Sequence, residues 1–258
     1  SNRRMLCGMT LEALRDDDGL TMLVSQGRIR KIRDGLTQRT FYYLSAERNG
    51  PRVSQTVTSL PYSQTGFYGE HTAQILADKY KKVPQDRCNF NKTESVFLHQ
   101  QVNAWLSEVF PGVEVRAEAN YQLQCAQIQI RNSINQEFMS PTNIGFGISY
   151  VLPILVTGLV AEKGSYVIVE NPESHLHPSA QTALGKFLGM LASSGMHVVI
   201  ETHSDHVLNG IQIYVASHPV LKDDVVIYNF SSNNGEPKVD KIFYDNFLGY
   251  NKWPDGFM

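Results

Sequence analysis

Side chains able to do acid–base or metal chemistry crowd into two short stretches of this chain. VIVENPESHLHP (167–178) ends an apolar run on Glu170 and then supplies Glu173, His175 and His177. VVIETHSDH (198–206) ends a second apolar run on Thr202 and His203, with Asp205 and His206 close behind. Two chemistries compete for them. One is a metal-dependent hydrolase: His175 and His177 have HxH spacing, and His203 with His206 has an i,i+3 spacing that can face one ion. Against it, Pro172 and Pro178 bracket the HxH on a loop, and no further carboxylate stands at a third strand end. The other is nucleotide hydrolysis. An apolar strand ending in a carboxylate is what holds Mg²⁺ beside triphosphate oxygens, usually through water. A neighbouring strand ending in Thr-His suits a sensor of the terminal phosphate.

Both readings need elements that bring the two stretches together. From residue 141 the pattern alternates strand and helix: a Gly-rich lead-in PTNIGFGIS (141–149), an apolar helix over 150–162, a buried strand over 165–170 and a helix over 178–192. A second buried strand over 197–202, a helix over 205–215 and a strand over 224–230 follow, then a hairpin turning at Asn233-Asn234-Gly235. Such alternation argues βαβ units and a parallel sheet, whose ligands gather beyond the carboxyl ends of the strands. If the two buried strands are neighbours, Glu170, Glu173, His203, Asp205 and His206 can share a cleft. The lead-in presents backbone N–H groups at a helix N-terminus, a ready anion site.

The first 140 residues read differently. A basic run, GRIRKIRDG (27–35), alternates as the solvated face of a strand does, and TFYYLSA (40–46) is a strand. Residues 53–68 read as an irregular loop, 69–82 as a helix, and 93–110 as a helix with Thr93 at its N-cap. VEVRAEA (113–119) and YQLQCAQIQIR (121–131) alternate as a half-buried antiparallel hairpin joined through Asn120, with Cys125 in the core.

At 258 residues the chain can bury a substantial core, and 42% of it is hydrophobic. A net charge of -2 gives no global field toward nucleic acid or anionic lipid. The cysteines Cys7, Cys88 and Cys125 fit no metal pattern. The most apolar stretch, 148–161, is too short and too interrupted by Pro and Gly to span a bilayer. The expectation is a cytoplasmic protein without a membrane partner.

Residues 141–206 resemble the signature, Walker B and switch-histidine run of ABC-type ATPases, in the branch that includes RecF-like, SMC-like and overcoming-lysogenisation-defect proteins. PTNIGFGISYVLPIL (141–155) resembles the signature segment, VIVENPESHLHPSAQ (167–181) the Walker B and following loop, and VVIETHSDHVLNGI (198–211) the switch segment. YYLSAERNGPR (42–52) and GEHTAQILAD (69–78) match the middle region of this group. NKWPDGFM (251–258) resembles the Trp-Pro-x-Gly-Phe tail of a C-terminal domain of unknown function.

The resemblance implies ATP and Mg²⁺ as cofactors, with Glu170 at the Mg²⁺-associated position. Asn171 stands where many of these ATPases place the catalytic Glu, so Glu173 is the nearest replacement base. His203 takes the place of the switch histidine, and Gly145, Gly147 and Ser149 fall in the signature. That segment touches the nucleotide of the opposite subunit in the family, which implies a homodimer with ATP at its interface. His175 and His177 then position the loop and face the dimer. The implied process is DNA-linked, repair or anti-phage defence, with a nuclease, another effector or DNA as partner.

One part is missing: no Gly-x-x-x-x-Gly-Lys-Ser/Thr phosphate loop occurs, and the one Gly-Lys (ALGKFL, 183–188) lies in an expected helix. The N-terminal Walker A lobe either lies outside this sequence or is naturally absent, and the chain alone is expected neither to bind ATP tightly nor to hydrolyse it. The resulting reading is an α/β protein: a mainly parallel sheet with flanking helices, plus an inserted helical and antiparallel β region. It divides as 1–140 (middle region), 141–230 (signature, Walker B and switch core) and 231–258 (C-terminal extension). Besides the metal hydrolase using His175, His177 and His203, the other alternative is a non-catalytic interaction module.

Overall fold

The computed structural model describes residues 12–16, 19–23, 40–57, 64–233, 236–245 and 248–252. The basic run at 27–35, Cys7, the Asn234-Gly235 turn and the WPDGFM tail lie outside them. The chain forms two units, residues 1–40 and 41–258. In the first, β1 (Glu12–Asp16) and β2 (Gly19–Leu23) make an antiparallel hairpin in which Asp16 faces Gly19.

The second unit is built around a three-stranded parallel sheet in the order β3 (Phe41–Leu44), β7 (Tyr166–Glu170), β8 (His197–Glu201). Both strand pairings are parallel, and Glu170 lies opposite Glu201 in register. Alternation sends Tyr42, Leu44, Val167 and Val169 into the core. There they meet helix α3 (Phe146–Val160), whose residues Val151, Ile154, Leu155, Val156 and Leu159 are fully buried. On the opposite face Phe41, Tyr166 and His197 stack across the three strands, with ring centroids 4.9 and 4.8 Å apart.

Helix α4 (Pro178–Ser193) connects β7 to β8, and α5 (Asp205–Ser217) follows β8. The two helices meet backbone to backbone. A Cβ on Gly185 would lie 2.3 Å from the Val207 carbonyl, and one on Gly210 would lie 2.2 Å from that of Thr182. The only Gly-Lys of the described chain, Gly185-Lys186, is therefore a helix-crossing glycine rather than part of a phosphate loop.

The inserted region is a second, antiparallel sheet in the order β4 (Gln55–Thr56), β6 (Cys125–Arg131), β5 (Glu114–Asn120), packed on α1 (Thr72–Leu76) and α2 (Leu98–Val109). Several boundaries differ from expectation. The helix expected over 69–82 shrinks to α1, because Gly66 and Gly69 adopt positive φ before it and Lys82 bridges to Phe97 after it. Helix α2 starts at Leu98 rather than near Thr93. The Thr93 and Ser95 hydroxyls instead accept from the N–H groups of Ser95 and Phe97, making local turns that compete with a helix start. The hairpin turns through residues 121–124, with Gln124 at φ 49, rather than on Asn120 alone. Cys125 is half-buried. A last hairpin pairs β9 (Ile227–Asn233) with β10 (Glu236–Ile242). Among the described residues no helix is long and apolar enough to cross a membrane.

Candidate active site

The ends of β3, β7 and β8 meet at one edge, and each delivers a polar group there. Glu170 is the last residue of β7. The Tyr43 hydroxyl donates to its Oε1 at 2.7 Å, and the Ala46 amide donates to its Oε2 at 3.0 Å. The Tyr43 bond first, then the Ala46 amide and the nearby Arg48 charge, hold this carboxyl below its ordinary value, so it is ionised at neutral pH.

Three residues on, the Glu173 carboxylate reaches across to the end of β8. Its Oε2 accepts from the Thr202 hydroxyl at 2.7 Å. Its Oε1 accepts from the His203 amide at 2.9 Å and from Asn171 Nδ2 at 3.3 Å. Three donors on one carboxylate make it a tie between the loop and the strand end. The His203 main chain is thereby fixed while its ring stays open to solvent, with Nε2 3.2 Å from Glu201 Oε1.

The loop between β7 and α4 is under backbone strain. Asn171 (φ 40) and His175 (φ 61) both occupy the left-handed region, which non-glycine residues hold only when their surroundings over-determine it. For Asn171 the surroundings do so at both ends. Its N–H donates to the Glu201 carbonyl at 2.9 Å, and its own carbonyl accepts from Arg48 Nη2 at 2.8 Å. Arg48, 2% exposed, is the unexpected member of the site. Burial pushes its guanidinium down to about 10, still charged at neutral pH.

The two loop histidines have separate tasks. The His175 ring lies against Phe146 and Tyr150, centroids 5.4 and 4.6 Å away. His177 is the N-cap of α4, its Nδ1 accepting from the Ser179 amide with Pro178 at the first helical position. Among the described residues no three His, Cys, Asp or Glu side chains converge as a metal-binding group. Asp205 and His206 open α5 and pair with each other at 3.7 Å. Of the residues placed in one cleft by sequence, the structure ties Glu173 to the His203 main chain, with the Thr202 hydroxyl as a further partner, and leaves Asp205 and His206 paired with each other. It sets Glu170 on the adjacent strand, with its carboxylate turned toward β3.

The signature-like residues divide. Gly147 is a packing glycine, since a Cβ there would lie 2.8 Å from the His175 carbonyl. Gly145, the exposed N-cap of α3, has nothing within 4 Å of where a Cβ would stand, and no side chain caps the helix. Ser149 is half-buried; because Pro153 has no N–H, the Ser149 carbonyl lacks its usual helical donor.

Tyr43 and Arg48 carried no sequence signal of their own beyond lying in YYLSAERNGPR. Apart from the Ser45 carbonyl beside Arg48, their partners are a carboxylate and main-chain carbonyls more than a hundred residues away.

The AAA ATPase domain family matches residues 63–208, more than half of the chain and all of β7, the loop, β8 and the first residues of α5. The chain belongs to this family. Curated protein sequences give no match. Among solved structures it is similar to an SMC ATPase described for ATP-driven dimerization and DNA-stimulated activation, at 10% identity and a TM-score of 0.44, covering 56% of this chain and 82% of that one. It is also similar to the Smc head domain of Pyrococcus furiosus bound to the C-terminal domain of ScpA, at 11% identity and TM-score 0.43, covering 57% and 34%. A third is the SMC head domain of Thermotoga maritima, at 12% identity and TM-score 0.42, covering 86% and 64%. Similarity at this level transfers no residue roles.

Proposed function

We propose that the chain is the signature, Walker B and switch-histidine portion of an ABC-type ATPase that couples ATP binding and hydrolysis to closure of a homodimer. The observation that supports this most is the strand-end constellation: ionised Glu170 at the end of the central parallel strand, beside Thr202 and His203 at the end of its neighbour. The donor chemistry suits Mg²⁺. A carboxylate whose oxygens already accept one hydrogen bond each has lone pairs left for metal-bound water. Bound there, the ion would neutralise charge on the phosphoryl oxygens.

The chain's own residues divide the remaining work. Glu170 would hold Mg²⁺ through water when the ion is bound. Glu173 sets the position of Thr202 and His203, and the open His203 ring meets the terminal phosphate. Asn171 cannot take a proton, so Glu173, whose Oε2 keeps a lone pair beside its one bond from Thr202, is the nearest base. The bare start of α3 at Gly145 offers unpaired N–H groups to the nucleotide of the second subunit. The phosphates themselves need a Walker A lobe. Its strand would add beside β8, an edge of the described three-stranded sheet, and its helix would cover the face on which Val199 is 48% exposed. Parallel sheets are normally covered on both faces. Repair or anti-phage defence, with a nuclease, effector or DNA as partner, is the process this reading serves.

The test is phosphate release by this chain supplied with a Walker A lobe, in trans or linked. ATP-dependent turnover that falls about a hundredfold in Glu170→Gln supports the reading. Asn171 and the absent phosphate loop favour one competitor, a docking module that never hydrolyses ATP. No turnover in any preparation would overturn the ATPase reading and favour that competitor instead.

A further inference from the structure

We propose that Arg48 is a positioning residue that couples the signature-like helix α3 to the acidic strand end, so that a shift of that helix is passed to Asn171, Glu173 and His203. The coupling stands on the geometry; its use in turnover rests on the ATPase reading above.

Arg48 sits in the turn after β3 and directs four hydrogen bonds at main-chain carbonyls of three separate segments. Nη1 donates to Ser45 O at 2.8 Å and to Glu170 O at 2.6 Å. Nη2 donates to Asn171 O at 2.8 Å, and Nε donates to Tyr150 O, in α3, at 3.2 Å. The guanidinium also lies over the Tyr150 ring, 5.5 Å from its centroid. Enclosing a cation that answers only to carbonyls is expensive. A planar fork of five donors can serve these acceptors together, and the single point charge of a lysine cannot.

The route onward is continuous. Asn171 is strained, and its carbonyl is held from two sides, by Arg48 Nη2 at 2.8 Å and by the Ser174 amide at 3.1 Å, of which the Arg48 bond is the shorter. The Asn171 side chain holds Glu173, and Glu173 holds the Thr202 hydroxyl and the His203 amide. If α3 moves away, Arg48 loses Tyr150 or drags the Asn171 carbonyl with it. In the second case Glu173 must re-seat at the end of β8. Gly147 touches the same loop at His175, but by contact alone, so it can push and not pull.

Two measurements decide the proposal. In hydrogen exchange on this chain, Arg48→Lys and Arg48→Gln are expected to speed the amides of 150–154 and 171–176 together by about tenfold, leaving the β5–β6 hairpin as in wild type. Uniform acceleration of all segments, or loosening of one of the two without the other, overturns it. In a preparation that hydrolyses ATP, Arg48→Lys is expected to lower kcat roughly tenfold with KM for ATP nearly unchanged. Free guanidinium is expected to restore part of the activity of Arg48→Gly. Wild-type kcat in Arg48→Lys overturns the proposal. If no preparation hydrolyses ATP, the ATPase reading falls and the exchange result alone decides the coupling.

Discussion

Helix α3 is gripped near each end by a buried arginine, and the two grips obey different physics. At the C-terminal end Arg87, 1% exposed, donates from Nη1 to the carbonyls of Gly158, at 3.2 Å, and Ala161. That is where a helix wants a cation: its last carbonyls lack partners and its dipole is negative there. Arg48 grips near the other end, at Tyr150, where the dipole opposes a cation. It is held there by the Glu170 and Asn171 carbonyls instead. One arginine completes a helix. The other satisfies no helix rule and joins the helix to the site.

The comparison is exposed first by removing Arg87. Arg87→Ala strands two buried carbonyls and is expected to cost about 3 kcal/mol in urea unfolding. It should leave exchange at 171–176 unchanged apart from that global loss. Selective loosening of 171–176 would show that both grips serve the site and erase the contrast.

A smaller effect is expected from pressing on the N-terminal end. Gly147→Ala sets a methyl 2.8 Å from the His175 carbonyl and is expected to cost about 2 kcal/mol, with exchange in the 171–176 loop rising. Gly145→Ala, with open space around it, should stay within about 0.5 kcal/mol by the same melts. Equal costs at the two positions would mean that α3 does not lean on the loop.

Tyr43→Phe should have the smallest effect, about 1 kcal/mol at pH 7. Glu170 titrates below its ordinary 4.5 in the folded chain, so its contribution is present above that pH and fades as pH falls through the depressed value. The wild-type and Tyr43→Phe melts should therefore converge at acid pH. A gap that stays constant as pH is lowered until the carboxylates are protonated would assign the loss to packing rather than to the carboxylate.

How far the sequence spoke follows from which forces were local. Strands β7 and β8 were legible because unbroken apolar runs end on polar residues. Helices α4 and α5 were legible as the segments that follow each strand, and the structure adds what starts them, Pro178 at the first helical position and Ser204 as a cap. The parallel pairing of the two strand ends followed from that alternation, and with it the meeting of Glu173 and His203. Thr93 misled because its hydroxyl caps a turn as readily as a helix. Gly147 has a packing reason that the sequence did not carry, since a carbonyl of another segment lies 2.8 Å from where its Cβ would stand. Arg48 stayed hidden because main-chain carbonyls are identical in every residue, and only the fold decides which of them a guanidinium meets.

The crossing of α4 and α5 at Gly185 and Gly210 has a mechanical consequence. Two side chains in contact can change rotamer and absorb a displacement, but two main chains cannot. The helices that leave the β7–α4 loop and the His203 turn therefore form one stiff lever, joined again farther along by Ser193 and Tyr214 at 2.9 Å. A small motion at the strand ends would reach the far face of the molecule with little slack.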